Sequence, residues 1–155
     1  MKPGGEDLYL ELEYAGPVND FVRREVLPKL TGLKVPAAEA AAGIKAFVGD
    51  GRPYMVSWGG HYDALYVYKL LGVEEQPFSW PPLDFASMLF GQGISPAHDL
   101  AEQFGIDRSR FRRDHALDDA RFLREVYLRA TGDGATGPGR PNPAVHGLKI
   151  TILSG

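Results

Sequence analysis

Apolar and polar positions alternate along residues 8–14, Leu8-Tyr9-Leu10-Glu11-Leu12-Glu13-Tyr14, and the run ends at Ala15-Gly16-Pro17. This pattern predicts a half-buried strand closed by a turn. From Asn19, a favourable N-cap, the period changes, and Phe21, Val22, Val26 and Leu27 recur at helical spacing until Pro28. A second helix is predicted over residues 37–47, where the chain is rich in alanine and Ala40, Ile44 and Phe47 share a face before Gly49-Asp50-Gly51. Residues 52–58 read as a buried strand, Gly59-Gly60 as a turn, and residues 61–71 as a helix. Residues 77–82 read as a loop, and residues 83–90 are apolar but short enough to fit either a strand or a helix. Ser95-Pro96 predicts the N-cap and first residue of a helix passing through Leu100, Ala101 and Phe104. A longer helix is predicted over residues 114–130 with Leu117, Ala120, Leu123, Val126 and Tyr127 inward and a charged outer face.

These alternating strands and helices, in a chain of 155 residues that is 44% hydrophobic, predict one α/β domain over residues 1–131. Residues 132–147, dominated by Gly, Pro, Thr and Asn, read as a flexible linker, and residues 148–155 as a strand-like tail. Seventeen Lys and Arg stand against 20 Asp and Glu, a net charge of −3, so any attraction for nucleic acid has to be local. The absence of cysteine excludes disulfides and thiolate metal sites. No signal-peptide run opens the sequence and no apolar stretch reaches the roughly 18 residues of a membrane span, so a cytoplasmic protein without membrane contact is expected.

Two acidic segments could carry chemistry. In Asp114-His115-Ala116-Leu117-Asp118-Asp119, at a helix start, His115 and Asp119 lie four apart and so on one helical face, which would place a general base beside a metal carboxylate. Asp63 stands one turn into the helix that follows Trp58-Gly59-Gly60-His61. Carboxylates brought together from separate elements suit hard divalent cations and phosphodiester hydrolysis. The alternative is that acids near helix N-termini simply complement the helix dipole. Arg108, Arg110, Arg112 and Arg113, continuing through Arg121, Arg124 and Arg129, form either a phosphate-tracking patch or a face paired with Asp107, Asp114, Asp118 and Glu125. Trp58, Tyr62 and Tyr66 serve either base stacking or the core. Asp84 is a further acid or a turn cap, and His61 is the one other histidine close to a motif acid.

Residues 57–72, Ser57-Trp58-Gly59-Gly60-His61-Tyr62-Asp63 through Leu71-Gly72, and residues 115–121, His115-Ala116-Leu117-Asp118-Asp119-Ala120-Arg121, resemble the second and last motifs of DEDD-type 3′–5′ exonucleases. Residues 20–30 resemble the helix after the third strand in a small mycobacterial-type exoribonuclease branch. The resemblance spans about residues 8–130. It implies a ribonuclease H-like mixed sheet flanked by helices, Mg²⁺ or Mn²⁺ held by Asp63 and Asp119, and His115 as the base. It further implies a single-stranded nucleic-acid 3′ end as substrate and pairing into a homodimer, and Arg110, Arg112 and Arg113 of the basic segment are the residues expected against its phosphates. RNA and DNA are not distinguished, because no base-reading element is identifiable.

The sequence also departs from that pattern. The histidine subtype sets its base five residues before the last aspartate, where Asp114 stands, whereas His115 is four before, as in the tyrosine subtype. One helical residue turns a side chain by about 100°. The first motif, Asp-x-Glu, has no counterpart except Glu11-Leu12-Glu13, on a strand that matches the family's third, so the first strands are expected to be missing. Either Glu11 and Glu13 stand in, or the chain is an inactive nucleic-acid-binding module of the same fold. A tail strand over residues 148–153 could fill the vacant sheet position.

Overall fold

A computed structural model describes residues 6–132 and the backbone of residues 145–147. Its centre is the strand β3 (Tyr54–Ser57), in which Met55, Val56 and Ser57 are buried. The strand β4 (Ser79–Asp84) lies parallel on one side, and the backbone of β5 (Val145–Gly147) parallel on the other. The helix α2 (Gly60–Leu71) makes the crossover from β3 to β4, as parallel pairing requires. Two glycines permit the tight entry into α2. Gly59 has a left-handed φ of 67°, and a Cβ on Gly60 would stand 3.3 Å from Asp84 Cα.

Side chains on β3 alternate between two cores, as a period of two demands. Met55 joins Ile44 and Val48 of α1 (Ala37–Val48) and Ala64, Val67 and Leu71 of α2. Val56 turns the other way, toward Phe85 and Leu89 of α3 (Phe85–Gly91), Leu100 and Ala101 of α4 (Leu100–Gln103), and Val126 and Tyr127 of α5 (Ala116–Thr131). Helices thus cover both faces of a parallel sheet, a mixed α/β architecture. A second, two-stranded parallel sheet pairs β1 (Glu11–Leu12) with β2 (Lys34–Val35). Among the described residues, no helix is long and apolar enough to cross a membrane.

Several expectations change. The strand expected over residues 8–14 is regular only at Glu11–Leu12, because its two faces meet different partners. Leu8 and Leu10 pack against the α1–α2 core, while Tyr9 stacks on His115 at 5.2 Å and Glu11 is buried among hydrogen-bond donors. The loop expected over residues 77–82 is largely β4. Its register slips from Tyr54↔Ser79 to Val56↔Leu83, across Pro81 and Pro82, which have no N–H to give the ladder. Residues 83–90 divide at Asp84, the N-cap of α3, whose side chain accepts from Ser87 N. Ser95-Pro96 begins a turn rather than a helix, and Asp99 caps α4 instead. Asn19 does accept from Val22 N at 2.9 Å, but the turns that follow wind widely over Val22–Val26 and tightly over Leu27–Lys29. Residues 145–147, at the end of the expected linker, pair with β3, and residues 148–155 lie outside the described residues.

Candidate functional site

An open cleft of about 520 Å³ lies where the chain leaves β3. Trp58, the residue after the strand, forms part of its wall with Pro96, Ala97, His98, Asp99 and Leu100. Arg108, Arg113 and, from α5, Asp119, Phe122 and Leu123 complete the lining. Ligands of open parallel α/β sheets bind beyond the carboxyl ends of the strands, which is where this cleft sits.

Asp119 occupies the first turn of α5 and is 19% exposed. Its Oδ1 accepts from Arg108 Nη2 at 3.1 Å, and the Arg108 guanidinium lies over the Phe122 ring at 4.4 Å from its centroid. Arg113 is exposed on the rim and has no ion-pair partner among the described residues. Asp63 is buried in the first turn of α2 and does not line the cleft.

His115 also lies elsewhere. Its backbone is extended (φ −112°, ψ 112°), it serves as the N-cap of α5, and it is 4% exposed. Tyr9 covers the ring, Arg112 Nη2 stands 3.1 Å from Nε2, and Asp118 Oδ2 stands 3.5 Å from Nδ1. The ring is thus enclosed by neighbouring side chains and does not line the cleft. Asp114, at the position where the histidine subtype has its base, has a left-handed φ of 55° and reaches Lys29 Nζ at 3.2 Å.

Burial, reinforced by the Arg112 guanidinium, holds the His115 pKa below its ordinary value against the opposing pull of Asp118, Asp119 and Glu11. The folded chain therefore takes up this proton less readily than the unfolded chain. The stabilising contribution is complete above the ordinary imidazole value of about 6.5 and is lost as pH falls below it. His115→Asn keeps a capping side chain that does not titrate. It is expected to flatten the stability slope as pH falls below about 6.5 in urea unfolding, and an unchanged slope would assign the slope to another group.

The three arginines expected on phosphates are separated. Arg112 donates from Nε to Asp118 Oδ2 at 2.6 Å, and Arg110 reaches Glu125 Oε2 at 3.4 Å with its guanidinium near the Phe111 ring. Only Arg113 of the three borders the cleft. Asp84 is a cap, accepting from Gly59 N and Gly60 N as well as from Ser87. Burial alone would raise its pKa, but these bonds prevail and hold it low. Glu13 is exposed, and His61 lies against Tyr62 with ring centroids 4.2 Å apart.

Trp58, a candidate for base stacking, and Arg108, one of the arginine run, both line the cleft, and His98 joins them with no motif to mark it. Nothing in the spacing distinguished Arg108 within that run. Among the described residues, no three or more His, Asp or Glu side chains are grouped to hold a metal ion. Asp63 stands off the cleft and Asp119 is engaged by Arg108, so the residues as placed do not form the multi-oxygen set a divalent cation takes. No family model matches the chain, nor does any curated protein or solved structure. The geometry of the cleft therefore has to carry the functional reading.

Proposed function

We propose that this chain is a single-stranded nucleic-acid-binding domain of the DEDD exonuclease type, with a ribonuclease H-like ancestry, that seats one end of a strand in the cleft beyond β3. The observation that supports this reading is that an aromatic residue, Trp58, and two arginines, Arg108 and Arg113, line one cavity of about 520 Å³. Aromatic faces stack on bases whatever their identity, and guanidinium groups match phosphate oxygens in pairs. With a net charge of −3 and no global field to assist, binding rests on this local set and should weaken steeply with salt.

Fluorescence anisotropy of a labelled single-stranded oligonucleotide at low salt tests the reading. Trp58→Ala is expected to weaken binding about tenfold, the value of one base stack. Absence of binding by the wild-type chain at low salt would remove the proposal. A second reading, metal-dependent 3′–5′ hydrolysis, is favoured by the place of Asp119 on the cleft wall. Mg²⁺- or Mn²⁺-dependent shortening of the same oligonucleotide, lost in Asp119→Asn, would establish it. It would also require carboxylates beyond those the described residues bring together.

A further inference from the structure

The arginines form a point rather than a track. A surface that follows a running strand needs cations spaced along a groove. Here Arg110 and Arg112 are drawn off by Glu125 and Asp118, which leaves Arg108 and Arg113 on one cavity. Arg108 is held in place by the Phe122 ring beneath it and by Asp119 at 3.1 Å. Its Nη1 is buried with no hydrogen-bond partner among the described residues. Exposed His98 also lines the cleft. Both carboxylates of the lining are already engaged, Asp99 by the Ala101 and Glu102 amides and Asp119 by Arg108.

We propose that the cleft is a site for a terminal phosphate monoester of a nucleic-acid strand, bound by Arg108 and Arg113 without a divalent metal ion. The inference rests on the nucleic-acid-binding reading above and adds the chemistry of the end that is recognised. A monoester carries a charge of about −1.5 to −2 near neutral pH, where an internal phosphodiester carries one, so two convergent guanidinium groups select the end of a strand over its middle. Asp119 acts as a positioning residue that orients Arg108 and partly offsets its charge. That role gives its removal the opposite sign from the one a metal ligand would show.

The experiment is anisotropy with one oligonucleotide sequence, labelled internally, in three forms: 3′-phosphate, 5′-phosphate, and hydroxyl at both ends. Each is titrated in EDTA and again in Mg²⁺. One phosphorylated form is expected to bind about tenfold more tightly than the hydroxyl form in EDTA, a preference of about 1.4 kcal/mol, and which form it is identifies the end. Arg113→Ala, at an exposed position where the fold is undisturbed, is expected to abolish the preference. Asp119→Asn is expected to bind the phosphorylated form at least as tightly as the wild type.

Equal binding of all three forms overturns the inference and leaves the binding reading intact. Failure of every form to bind overturns both. A phosphate preference that requires Mg²⁺, or one that weakens more than threefold in Asp119→Asn, assigns the site to metal and likewise overturns the inference.

Discussion

Glu11→Ala is expected to lower the free energy of unfolding by about 3 kcal/mol, because it removes the charged acceptor shared by two backbone amides and a phenol. Glu11 is 5% exposed, and its Oε1 accepts from Thr31 N at 2.6 Å and from the Tyr9 hydroxyl at 2.7 Å. Its Oε2 accepts from Gly32 N at 2.9 Å, so one carboxylate ties the first strand to the turn that leads into β2. Burial by itself would raise the pKa of this acid, but the two amides and the phenol prevail and hold it below the ordinary glutamate value. The anchoring contribution is accordingly present above the ordinary glutamate range and fades as pH falls through the lowered value. Urea unfolding at neutral pH provides the measurement, with Glu11→Gln expected to lose about half as much because it keeps one acceptor oxygen. An alanine variant within about 1 kcal/mol of the wild type would show that water replaces the carboxylate, and would return Glu11 to consideration as a reactive acid.

Phe85→Ala is expected to cost a similar amount, about 4 kcal/mol, by a different route. Phe85 is 1% exposed, begins α3, and packs on Tyr127 of α5 with ring centroids 5.5 Å apart, in the core that also takes Val56. Its removal leaves a cavity between three elements that cannot all close on it, together with the loss of a tilted aromatic pair. The same urea experiment applies, and Phe85→Leu should recover more than half of the loss. A loss below about 2 kcal/mol would mean that α5 can slide inward to refill the space.

The expected bounds of α1, α2, β3 and α5 lie within two residues of those observed, because their main apolar positions agree with the partners available. Ala40 and Ile44 fall on one side of α1 and are both buried, Ile44 in the core that also takes Met55. What the sequence could not convey were interactions decided at long range. Alternation over residues 8–14 says that the two faces differ, but the donors that make burial of Glu11 tolerable come from residues 31 and 32.

The pairing of His115 with Asp119 failed for a local reason. A spacing of four places two residues on one face only if both are helical, and His115 has extended backbone as the cap. The arginine run could be counted from the sequence, but which members border the cleft, Arg108 paired with Asp119 and Arg113 with no ion-pair partner among the described residues, depended on where Asp118, Asp119 and Glu125 point.

The alternation of Met55 and Val56 across β3 gives the domain two separately sealed interiors with one shared partition only a backbone thick. The cleft is furnished from one of them, through α4 and α5, while α1 and most of α2 fill the other. Reshaping the chamber behind Met55 is therefore a change made on the far side of a wall. Substitutions there leave the residues that line the cleft in place.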